Sequence, residues 1–225
     1  MLPALAGLLL LALFVTLGFW QLDRAADKRE VQSAFEAGGE YRRLEADASY
    51  DRYQPLTATG RYLDRRQVLL ENIVLNGRLG YYVITPFEFA PDEPLLLVNR
   101  GWIPKEAEGD ALPIAVSGRE QEIRGRVGWL PRVGIRPGPA FAGDSGWPRR
   151  AVWPETQEVA AALGREVLPF VLLADPDPSS GLVRRWQPQE VGPMRHIGYA
   201  VQWFALALAV VVIAIVLHRR KRFSQ

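Results

Sequence analysis

Hydrophobic and polar positions divide the chain into three stretches. Residues 1–20 carry no charged side chain, and neither do residues 197–217, where Gln202 is the one strongly polar position. The second run is 21 residues long, and as a helix it spans roughly 31 Å, about one hydrocarbon thickness. Each run therefore predicts a transmembrane helix, the first over 1–21 and the second over 196–217. No Lys or Arg precedes the first run, and Leu17-Gly18-Phe19-Trp20 stands where a small-x-small cleavage site would be needed. The expectation is a retained span with Trp20 at headgroup level, not a signal peptide.

Residues 22–195 mix charge with short apolar bursts and predict one domain outside the membrane. Ala25 to Ala37 is rich in helix formers and is stopped by Gly38-Gly39, so a short helix is expected there. Strands are expected at Leu56–Tyr62, at Gln67–Leu70, and at Ile73–Leu75 and Tyr81–Thr85 either side of the turn dipeptide Asn76-Gly77. Pro86 predicts an early stop or an edge position for the last of these. Leu95–Asn99 follows, ending at Arg100-Gly101-Trp102-Ile103-Pro104, and Gln121–Leu130 alternates like a half-buried strand. Residues 131–154 read as a long ordered loop and Glu155–Leu163 as a helix closed by Gly164. Val167–Leu173, an edge strand because of Pro169, and Leu182–Trp186 complete the set. The fold class expected is two transmembrane helices flanking an external α+β domain, mainly antiparallel β, as a sheet or open barrel.

Charge sets the orientation. The formal net charge is +2, but all 25 acidic residues lie between 22 and 195, with all but four of the 27 Lys and Arg. The four are Arg219-Arg220-Lys221-Arg222 in the tail 218–225, and they favour the cytoplasmic side for both termini. Arg24, Lys28 and Arg29 argue the other way, beside acids that count for little in this rule. The middle, with a slight acidic excess, lacks the basic surplus of a nucleic-acid binder. Arg149-Arg150 and Arg184-Arg185 are expected to be solvated faces. With no cysteine, disulfides, thiolate metal sites and thiol catalysis are excluded.

Gly143-Asp144-Ser145-Gly146 echoes a serine nucleophile turn, yet a nucleophile needs a base, and the only histidines are His196 and His218, one at each membrane surface. Those two lie 22 residues apart on one helix, roughly 33 Å, too far to share a metal ion. Gly134, Gly138 and Gly143 make no phosphate loop, since no helix follows them. The chain is expected not to be an enzyme. His196 itself has two readings. It is either an interfacial residue opening a helix, amphipathic like Tyr199 and Trp203, or an axial ligand to a haem iron, for which neutral imidazole is the common donor. Positions 196, 199, 200 and 203 share a helix face along which an apolar macrocycle could lie, and Arg195 could pair with a propionate. Gln21 and Gln202 are expected to hydrogen-bond between the helices.

The strings Leu17-Gly18-Phe19-Trp20-Gln21-Leu22-x-Arg24, Gly60-Arg61-Tyr62, Gly80-Tyr81-Tyr82-Val83-Ile84-Thr85-Pro86, Val98-Asn99-Arg100-Gly101-Trp102-Ile103-Pro104 and Arg195-His196-x-x-Tyr199-Ala200-x-Gln202-Trp203-Phe204 occur in this order. Together they resemble the surfeit-locus protein 1 family, assembly factors of cytochrome c oxidase. The resemblance implies a membrane-bound factor that binds haem a and aids its insertion into the large oxidase subunit. His196 would then be the iron ligand, with Arg195, Tyr199 and Trp203 around the cofactor. The alternative is a scaffold that stabilises the nascent subunit without haem. The resemblance further implies that Gly101 permits a sharp turn after a strand and that Arg100-Gly101-Trp102 faces the membrane or the oxidase. The partners implied are that large subunit and the bilayer; whether copies form a homo-oligomer stays open. The expected location is a bacterial inner membrane, multi-pass, with both termini cytoplasmic and the main domain periplasmic. A bacterial rather than a mitochondrial setting is favoured because no basic, Ser-rich transit segment precedes the first span.

Overall fold

The computed structural model describes residues 2–36, 38–105, 114–132, 136, 138–141, 143, 146–186 and 192–223. The chain packs as two units, Gly38–Gln187 and the joined termini Met1–Ala37 and Pro188–Gln225.

The first unit is built on eight strands: β1 (Arg42–Arg43), β2 (Pro55–Tyr62), β3 (Val68–Leu75), β4 (Arg78–Glu88), β5 (Leu95–Pro104), β6 (Gln121–Gly128), β7 (Arg149–Ala151) and β8 (Val167–Ala174). They lie in the order β1-β2-β6-β8-β5-β4-β3-β7, and a further pairing of β2 with β4 closes β2, β6, β8, β5 and β4 into a barrel. Four of its five contacts are antiparallel, and β5 with β8 is parallel. Alternate residues of every barrel strand point inward, among them Leu56, Ala58, Phe87, Leu96, Val98, Ile123, Val127, Phe170 and Leu172. Five strands leave less room than the eight that side chains can just fill, and Phe87, Leu96, Val98, Val127 and Leu172 are all at 0% exposure. The barrel interior is a packed core and holds no ligand chamber.

A second core lies on the outer side of β3, β4, β5 and β8. There Val68, Leu70, Ile84, Leu95, Leu97 and Val171 meet Val159 and Leu163 of helix α2 (Thr156–Leu163), with Trp147 and Trp153 from the preceding loop. Glu158 in the first turn of α2 accepts the Glu155 N–H at 2.9 Å, and Gly164 at φ 68° ends the helix, where the backbone N–H groups of 164 and 165 close on the last carbonyls.

Several strands differ from expectation. Gln67–Leu70 and Ile73–Leu75 are one strand interrupted by a bulge, with Asn72 at φ 62°. Asn76 and Gly77, both at positive φ (51° and 76°), make the tight turn that the dipeptide predicts. Pro86 neither ends β4 nor marks a sheet edge. β4 pairs with β3 as far as Ile84 and with β2 from Phe87, and Pro86 sits between the two, where its missing N–H deprives neither ladder while its carbonyl accepts from Leu63. Pro169 is likewise inside the barrel wall, in a stretch of β8 where the register with β5 shifts and before pairing with β6 begins. β5 runs through Arg100-Gly101 as a bulge, since Tyr82 opposes Trp102 while Ile84 opposes Asn99. The loop 131–154 carries β7 on the edge of β3. Leu182–Trp186 forms a single bridge, Val183 with Trp102, and no strand.

In the second unit α1 (Leu2–Glu36) is continuous through the stretch expected as a separate short helix, because no Gly or Pro separates Trp20 from Ala25. Helix α3 (Pro193–Phe223) likewise runs on past Leu217 into the basic tail.

Candidate functional site

The two long helices form an antiparallel pair whose seam follows a heptad spacing. On α1 the sheltered positions include Gly7, Leu11, Phe14, Gly18, Gln21, Ala25 and Lys28, alternating steps of four and three; on α3 they include His196, Ala200, Trp203, Ala207 and Val210. This is the seven-residue spacing that left-handed helix pairs use. The outward positions are apolar and exposed, with Leu8 and Leu208 each at 64%. Stretches of 29 residues (Leu5–Ser33) and 25 residues (Pro193–Leu217) are long and apolar enough to cross a bilayer, and lipid is the solvent that such outward surfaces suit.

Small residues bring the helices close around residue 21. A Cβ placed on Gly18 would lie 2.5 Å from the Phe204 ring, so the glycine makes room for that ring. Ala25 and Ala200 are 2% and 1% exposed. Between these contacts the Gln21 side chain reaches across to His196, with Oε1 2.8 Å from Nδ1. An amide oxygen can only accept, so in this contact Nδ1 is the donor, and a neutral ring then keeps its lone pair on Nε2.

The other expected site residues divide. Trp203 shares the seam with His196 and stacks on Phe14, ring centroids 5.7 Å apart. Tyr199 lies off the seam at 42% exposure, and Arg195 is exposed. Ala200 is closed off by α1, so an apolar group approaching His196 from outside the pair meets Tyr199 instead. Gln202 is exposed, while Gln21 makes the interhelical bond expected of it, its partner and the role of Phe14 having gone unread.

The barrel unit offers no comparable site among the described residues. No three acidic or imidazole groups come together as metal ligands. Asp144 and Ser145 of the serine turn lie outside the described residues. Arg100, Gly101 and Trp102 do not face the membrane or a partner: all three are buried. Arg100 donates to the carbonyls of Ile114 (2.6 Å) and Ala115 (3.2 Å) and lies 5.6 Å over the Tyr62 ring. Burial lowers its pKa from the ordinary guanidinium value. Arg184 and Arg149 are not solvated either. Arg184 donates to the Arg100 and Asp175 carbonyls, both at 2.6 Å, and Arg149 packs over Phe141. In a shallow cleft lined by Arg61, Glu88, Asp92, Glu93, Arg165 and Glu166, Glu88 takes Arg61 at 2.6 Å and Arg165 at 2.7 Å.

Two apolar helices packed on a polar-centred seam, before and after a filled barrel domain in the chain, define a membrane protein with an imidazole set in its helix pair. Comparison with known proteins gives the class its family. The model of the SURF1 family matches residues 8–208, and the chain belongs to that family, which is associated with cytochrome oxidase assembly. It is similar to a SURF1-like protein of Rickettsia conorii, 25% identical over 226 residues, covering 92% of this chain and 88% of that one. A SURF1-like protein of Monosiga brevicollis is 26% identical, covering 91% and 83%, and one of Drosophila melanogaster is 28% identical over 58% of this chain and 42% of its own.

Proposed function

We propose that this protein is a membrane-bound assembly factor for haem-copper cytochrome oxidase that holds haem a on His196 and aids its delivery to the large oxidase subunit. The observation that supports this reading is the 2.8 Å contact of His196 Nδ1 with Gln21 Oε1. His196 is fixed at the start of α3 with Nδ1 bonded to Gln21 and Nε2 left as a donor for iron. Exposed Arg195 stands beside it with the chemistry for a propionate, and Tyr199 offers an aromatic face one turn on. When bound, haem would supply a metal that takes the imidazole lone pair; the chain's own part is to orient that ligand and cover one side of the macrocycle. The basic tail supports a cytoplasmic position for both termini and so a periplasmic one for the barrel domain.

The test is an optical spectrum of the detergent-purified protein from cells that make haem a, beside His196→Ala. A reduced-minus-oxidised haem a signal in the first alone is the expected result. Haem in neither favours a scaffold that holds the nascent subunit without cofactor, and haem in both means that another residue is the ligand.

A further inference from the structure

We infer that Gln21 is the positioning residue for His196: its amide oxygen selects the imidazole tautomer and leaves the lone pair on Nε2. This rests on the reading of His196 as a ligand, but its physical core, the proton on Nδ1, does not.

Gln21 is half-buried on the helix seam, one residue past the Trp20 expected at headgroup level. An amide withdrawn from water without a partner costs about 1–3 kcal/mol, and the structure gives it His196 across 175 residues of chain. The seam is built so that they meet. Gln21 holds a heptad position between Gly18 and Ala25, and His196 one between Pro193 and Ala200. Phe204 fills the space above Gly18, and Ala200 presents no side chain that could hold the helices apart.

The consequence is chemical. A neutral imidazole has one N–H and one lone pair. An acceptor at Nδ1 puts the N–H there, so the lone pair is left on Nε2, the nitrogen then able to bind a metal. Leucine at position 21 would keep volume and suit the bilayer better, but would leave the ring free to rotate and to protonate Nε2. Glutamate would keep an acceptor oxygen at the same reach. A packing role for Gln21 predicts the opposite ranking, since the apolar substitute should then serve at least as well.

The experiment uses the full chain in detergent with nitrogen-15-labelled histidine. With only 2 histidines present, His196→Ala identifies the signal of interest. The expected spectrum shows Nδ1 protonated in the wild type and in Gln21→Glu, and Nε2 protonated in Gln21→Leu. Haem a titration should then weaken by roughly 10- to 100-fold in Gln21→Leu and by no more than a few-fold in Gln21→Glu. The same tautomer and affinity in wild type and Gln21→Leu would overturn the inference. Should Gln21→Leu not fold, Nε2 protonation in Gln21→Glu or in the wild type would overturn it equally. A tautomer that shifts as expected in a wild type that takes up no haem sustains the positioning role and refutes the haem reading instead.

Discussion

Thr85 lies on β4 fully enclosed, and its hydroxyl has no hydrogen-bond partner among the described residues. Unsatisfied buried polar atoms generally cost about 1–3 kcal/mol, whereas an apolar group of the same shape costs nothing of the kind. Thr85→Val should therefore raise the stability of the barrel by about 1 kcal/mol, read as a higher midpoint in denaturant with an unchanged slope. Gly101 should respond in the opposite sense. It sits at φ 134°, and an added Cβ would come within 2.8 Å of the Leu182 Cβ. Gly101→Ala combines a disfavoured backbone with a clash, and a loss of about 2–3 kcal/mol is expected in the same measurement. The glycine itself was legible as a special position in the sequence, but its purpose was misread. A bulge within a continuing strand and a turn after a finished one need the same residue, and only the partner strand tells them apart. Gln21 shows a similar limit: a polar residue in an apolar run announces a partner, yet nothing local says that the partner is His196.

At the scale of elements, the barrel closes where Arg61 of β2 stands opposite Glu88 of β4. The bonds from Arg165 and then Arg61 hold the Glu88 carboxyl below the ordinary carboxylate range. Because its folded value lies below the unfolded one, the group adds stability in full above the ordinary value of 4.5. That contribution disappears as pH falls from there through the folded value. Glu88→Gln should lower stability at neutral pH by about 1 kcal/mol, a modest figure because its partner Arg61 is largely open to solvent. It should also flatten the acid side of the stability curve, while Glu158, held low by Arg136, retains part of the slope. The helix pair gives the other element-scale test. Gly18→Leu drives a side chain into the Phe204 ring and should weaken α1–α3 association by about 1–3 kcal/mol. Adding Phe204→Ala should recover part of this, the remainder being the lost edge contact with Phe19. Reversible unfolding in mixed detergent, followed by helical circular dichroism, reads both. Hydropathy located these helices but could not mark their seam, because a membrane helix is apolar on every side and only residue size distinguishes the face that packs. Strand positions were legible for the complementary reason, half-buried strands alternating in polarity. Closure was not, since it depends on β2 meeting β4 and on the parallel meeting of β5 with β8, both remote in sequence.

For the molecule as a whole, stability and cofactor chemistry separate by unit. The barrel unit has its own filled interior and a second apolar layer beneath α2, and closing five strands into a ring leaves short edges at β1, β7 and the end of β3. Its exposed large apolar residues in the described part, Val74, Leu79, Trp129, Val183 and Tyr41, are few beside the outward leucines and valines of α1 and α3. Gly38–Gln187 produced without the helices should accordingly be soluble and unfold in one cooperative step, within the size at which a single core suffices. It should take up no haem a, because Gln21 and His196 both belong to the helical unit and the barrel interior has no space for a macrocycle. Stoichiometric haem on the isolated barrel would move the site off α3 altogether. A barrel fragment that fails to fold would instead show that the closed sheet depends on the helical termini for more than attachment to the membrane.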